Sequence, residues 1–109
     1  MEERGSFIGG RWSNEGAPLD VKNPYDDTVA GTCRQAGPAE IERAVATAVS
    51  AAAKLSELPL YARATILDRT ASLLRERRES FARRIQAEAG KPIRYARIEA
   101  DRAVDTFTE

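Results

Sequence analysis

The chain contains no histidine, one cysteine, one tryptophan and one methionine. No apolar run approaches the ~18 residues of a membrane span. Without histidine, no Ser-His or Cys-His nucleophile pair can be assembled, and the commonest general base is missing. One cysteine without histidine also falls short of the usual zinc ligand set. A lone cysteine permits no internal disulfide and favours a reducing compartment. The opening residues Met1-Glu2-Glu3-Arg4-Gly5-Ser6 lack the basic end and apolar stretch of a secretion signal. A soluble, cytoplasmic protein with no membrane partner is therefore expected. Charge of either sign is not in excess, since 17 basic side chains meet 17 acidic ones. No global field would draw such a chain to nucleic acid or to an anionic surface.

Two phosphate-binding patterns are missing as well. Gly90-Lys91 resembles the end of a phosphate loop, but that motif needs glycine five places earlier and a hydroxyl after the lysine. Ile85 and Pro92 stand there instead. No G-x-G-x-x-G run occurs, so a dinucleotide fingerprint is also lacking. No catalytic, cofactor-binding or metal-binding residue is therefore assigned within the 109 residues.

What is present is apolar patterning: 42 % of the residues are hydrophobic, enough for a modest core in one domain at most. Residues 1–36 read as strands and turns. Phe7-Ile8 and Arg11-Trp12 flank Gly9-Gly10, whose glycines suit the positive φ angles of a hairpin turn. Leu19-Asp20-Val21-Lys22 alternates like a half-buried strand, Asn23-Pro24-Tyr25-Asp26-Asp27 is turn chemistry, and 28–36 reads as another strand. Residues 37–109 read as helices. Gly37-Pro38 opens the first, in which Ile41, Ala44, Val45, Ala48, Val49 and Ala52 share one stripe until it fades near Lys54. Pro59 starts a second, with Arg63, Ile66, Leu67, Thr70, Ala71, Leu73 and Leu74 aligned. A third, carrying Phe81, Ala82, Ile85 and Ala89, follows a bend near Ser80. Gly90 followed by Pro92 is a stop signal. The last helix aligns Ala96, Ala100, Ala103, Val104 and Phe107. No cap follows it, and Asp105 and Glu109 oppose the helix dipole, so the native polypeptide is expected to continue past Glu109.

Several side chains invite functional readings, each with a plainer alternative. Cys33 beside Arg34 could be an activated thiol, but small strand neighbours fit an inert core thiol better. Asp26-Asp27, or Glu99 with Asp101, could hold a cation. Turn capping accounts for the first pair, and a one-turn ion pair from Arg97 to Asp101 for part of the second. Between Leu58 and Arg97, ten basic residues face four acidic ones. Their spacing scatters them around two helices, which fits a solvated face better than an Arg-rich nucleic-acid binder. Trp12 reads as a packing anchor.

The order of these pieces resembles the opening of the NAD(P)-dependent aldehyde dehydrogenase superfamily. The resemblance is carried by Phe-Ile-Gly-Gly-Arg-Trp (7–12), Val-Lys-Asn-Pro-Tyr-Asp-Asp-Thr-Val (21–29), Glu-Ile-Glu-Arg-Ala-Val-Ala-Thr-Ala (40–48), Arg-Ala-Thr-Ile-Leu (63–67), Leu73-Leu74 and Glu-Ala-Gly-Lys-Pro (88–92). The turn at 23–26 leans toward the branch acting on lactaldehyde, glyceraldehyde phosphate or similar small polar aldehydes. The resemblance implies an α/β fold in which an N-terminal hairpin and strands precede three to four amphipathic helices, an incomplete part of one cofactor-binding domain. It implies an enzyme that oxidises an aldehyde to a carboxylic acid with NAD or NADP, as a dimeric or tetrameric homo-oligomer when complete. In such enzymes a cysteine thiolate attacks the aldehyde, hydride passes to the nicotinamide, and a glutamate activates water against the thioester. The resemblance places those residues beyond Glu109, and Cys33 does not match the nucleophile. It also implies a structural monovalent cation in some members, near Lys22 and near Glu99 or Asp101. By this reading the chain alone is inactive. A non-enzymatic helical interaction module is the alternative from another class.

Overall fold

The computed structural model describes residues 3–108, in which five short strands precede four helices. The strands are β1 (Glu3–Arg4), β2 (Ser6–Ile8), β3 (Arg11–Ser13), β4 (Pro18–Lys22) and β5 (Val29–Arg34). The helices are α1 (Pro38–Glu57), α2 (Leu60–Glu76), α3 (Arg78–Ala89) and α4 (Ile93–Thr108). Contacts group them into two compact units. One holds the strands with α1, and the other holds the turn Asn23–Thr28 with α2, α3 and α4. The division of the sequence at residue 36 follows secondary-structure type; the units follow packing instead.

In the first unit, β2 and β3 pair antiparallel with Phe7 opposite Trp12. The expected hairpin forms, and its turn holds Gly9 at φ 59° and Gly10 at φ 78°. Successive positive φ angles match the right-handed twist of the two strands, which is why glycines stand there. A second sheet has the order β1-β5-β4. β4 runs antiparallel to β5, setting Leu19 against Cys33 and Val21 against Gly31, with an irregularity between Val21 and Lys22. β1 pairs parallel with β5. β1 has no signal in the sequence, because its two charged residues carry no alternation.

α1 starts where Gly37-Pro38 predicts, with the Ile41 N–H bonded to the Gly37 carbonyl at 3.0 Å. It runs to Glu57 and does not fade at Lys54. The physical stop is Pro59, whose ring disfavours helical geometry at the residue before it. On the hairpin side of the helix, the Thr47 methyl lies 3.4 Å from where a Cβ on Gly9 would sit. The apolar stripe lies elsewhere: Ile41, Val45 and Val49 are 54, 56 and 69 % exposed. Periodicity located the stripe, and these three side chains of it stay exposed among the described residues.

In the second unit, the helices lie where the sequence pattern places them, with one shift. The break falls at Arg77 (φ −103°, ψ 13°), not near Ser80. Neither glycine nor proline marks that position. Its backbone remains bonded on both sides, N–H to Leu73 and carbonyl to Phe81. The core is built from small residues. Ala82, Ala96 and Ala100 form a buried cluster with Ile85 and Ile93 against it, and Ala71 and Val104 are also buried. Alanine at these positions lets helix backbones approach closely, and Ile85 of α3 and Ile93 of α4 pack at the margin of the cluster. Gly90 closes α3 in the left-handed conformation, φ 64°, its N–H bonded to the Gln86 carbonyl at 2.9 Å. A Cβ there would lie 2.7 Å from Pro24 Cγ. Two constraints thus require glycine at the predicted stop.

Candidate functional site

The most organised polar site in the first unit centres on Glu40, which sequence reasoning did not single out. Glu40 is the third residue of α1 and only 3 % exposed. One carboxylate oxygen accepts the Gly37 N–H at 3.2 Å, closing an orphan donor at the helix start in the manner of a capping box. The other accepts the Ser13 hydroxyl at 2.8 Å, tying β3 to α1. Arg43 lies 3.8 Å from Glu40 and 3.7 Å from Glu15, at the edge of an open cleft lined by Ile8, Arg11, Trp12 and Asn14. The Ser13 hydroxyl, with the Gly37 amide and Arg43, holds the Glu40 carboxyl below the ordinary glutamate range. A carboxylate charged at neutral pH, with both oxygens engaged, is a structural anchor and not a poised base. A glutamate three residues after a helix-opening glycine was the available signal. The link to Ser13, 27 residues away, had none.

In the second unit, the notable charges join α3 to α4. Arg97 donates two hydrogen bonds to Glu79, each 2.9 Å. Arg78 pairs with Asp101 through Nε and through Nη2, the latter at 2.7 Å. Lys91 pairs with Glu99. These bonds hold Glu79 and Asp101 below their ordinary carboxylate values, Arg97 being the main cause for the first and Arg78 for the second. The expected Arg97–Asp101 pair within α4 is therefore corrected. A planar guanidinium gains more from a bidentate carboxylate on the facing helix than from a neighbour one turn along its own.

The same bonds bear on the basic stretch. Arg69, Arg83 and Arg84 each lie within 4 Å of an acidic partner, Glu76, Glu79 and Glu88 respectively. With Arg78 and Arg97 also paired, many of these cations are locally neutralised. Glu99 and Asp101, the carboxylates suggested for a cation, already hold Lys91 and Arg78. Lys22 sits at the end of β4 in the other unit. Asp26 accepts the Thr28 N–H at 3.1 Å and the Thr28 hydroxyl at 2.7 Å, so turn capping does account for it. That hydroxyl holds the Asp26 carboxyl below its ordinary value. Asp27 adopts φ 59°, a turn conformation that aspartate tolerates. Among the described residues, no three His, Cys, Asp or Glu side chains group closely enough to hold a metal ion.

Cys33 is half-buried in β5, and the Arg34 guanidinium donates to the Gly16 carbonyl at 3.2 Å. Trp12 is not a buried anchor. It is 54 % exposed and packs on Phe7 at 5.0 Å between ring centroids, with the Arg4 guanidinium 5.3 Å from its ring. A three-residue hairpin arm has too little depth to cover an indole.

The start of α1 does not fit a dinucleotide's pyrophosphate. Strand β5 leads into α1, the order a pyrophosphate site uses, but the Glu40 carboxylate already occupies the helix start and would repel a phosphate. Among the described residues, no buried side-chain polar atom is left without a partner.

Residues 12–109 match the sequence model of the Aldehyde dehydrogenase family, and the chain belongs to that family. It is 35 % identical over 101 residues to lactaldehyde dehydrogenase of Methanocaldococcus jannaschii, covering 93 % of this chain and 22 % of the relative. It is 43 % identical over 94 residues to N-succinylglutamate 5-semialdehyde dehydrogenase of Burkholderia cenocepacia, covering 85 % and 19 %. In structure it resembles aldehyde dehydrogenase 21 of Physcomitrella patens, solved with its reaction product succinate. The TM-score is 0.92 at 33 % identity, over 97 % of this chain and 22 % of that one. The mixed α/β architecture is that of the family. The chain spans about a fifth of the length of the curated relatives it matches.

Proposed function

We propose that these residues are the N-terminal portion of an enzyme that oxidises an aldehyde to a carboxylic acid with NAD or NADP. The match of residues 12–109 to a dehydrogenase family carries this reading. The succinate product of the plant relative agrees with a carboxylic acid product. The similarity to lactaldehyde dehydrogenase supports the lean toward small polar aldehydes. The nicotinamide cofactor would supply the hydride acceptor when bound, held by segments other than these. The residues described do structural work: they form the hairpin, the small-residue helix core and the ion-paired α3–α4 face. The exposed stripe of Ile41, Val45 and Val49 supports a role as one side of an interface whose other side is the rest of the polypeptide. In this reading the 109-residue chain is inactive by itself, and the complete enzyme is a cytoplasmic homo-oligomer.

The test compares two purified proteins in an assay of aldehyde-dependent NAD(P)+ reduction. One is the 109-residue chain, and the other is the polypeptide with any coding sequence that follows residue 109. Turnover only in the longer protein is the expected result. Turnover by the 109-residue chain would overturn its inactivity, and a longer protein that oxidises no aldehyde would overturn the enzymatic reading.

A further inference from the structure

We draw no further inference here: the strongest candidate, the exposed apolar face of α1 formed by Ile41, Val45 and Val49, already belongs to the function proposed above, and nothing in the structure shows what else covers it.

Discussion

Glycine 90 shows how much one residue can decide. Its left-handed φ and the 2.7 Å approach to Pro24 Cγ act together, so Gly90→Ala should cost about 1–3 kcal/mol in chemical denaturation of the purified chain. Gly10→Ala is the control: φ is again positive, but the space is open, so it should cost less. Equal losses would show that Pro24 contributes nothing. Glu40 supports a second prediction, in pH. Its folded-state carboxyl titrates below the unfolded one, so its stabilisation is complete above the ordinary glutamate value of about 4.3. That contribution is lost as pH falls through the lowered folded value. Glu40→Gln should therefore flatten part of the acid limb of a stability–pH curve, and an unchanged limb would remove Glu40 from that role. Gly90 was legible because cap chemistry is local. The Ser13 partner of Glu40 was not, since a hydroxyl 27 residues away becomes a neighbour only after the hairpin docks.

Between elements, α3 and α4 are joined by alanines and by two guanidinium–carboxylate pairs. Ala96 and Ala82 have no exposed surface, so Ala96→Leu should overpack the cluster and lower stability by about 1–3 kcal/mol in thermal unfolding followed by circular dichroism. An unchanged melting temperature would mean the helices can separate freely. The ion pairs call for a double-mutant cycle. Exchanging Glu79→Arg and Arg97→Glu singly should destabilise, while the two together should recover part of the loss. The coupling should shrink with added salt, because these side chains are partly exposed. Additive single effects would show that the facing pair contributes nothing. Helix starts and stops were readable from Pro38, Pro59 and Gly90. The break at Arg77 was not, because no residue type there opposes helix; it places Arg78 and Glu79 in the first turn of α3, whence they reach Asp101 and Arg97 on α4.

Across the whole molecule, the distribution of apolar surface is the main feature. The buried apolar side chains among those described are four alanines and Val104, while Ile66, Leu67, Ile98 and Ile41, Val45 and Val49 of α1 remain exposed. Surface of this kind should drive association. Sedimentation of the purified chain is expected to show oligomers or aggregates, and Val45→Lys with Val49→Lys should reduce them while helical content is kept. A monomer before substitution would contradict the idea that this face seeks a partner. The described residues also include no helix long and apolar enough to cross a membrane.

Residue order alone determined the strand-then-helix succession, the glycine turns, the helix stripes and the family resemblance, because each depends on residues near one another in the chain. The tertiary structure decided which carboxylate meets which guanidinium, that Glu40 anchors the hairpin, and that Ile41, Val45 and Val49 stay exposed. Those outcomes depend on distances between segments far apart in sequence, and periodicity reports only that a face is apolar, never what will cover it.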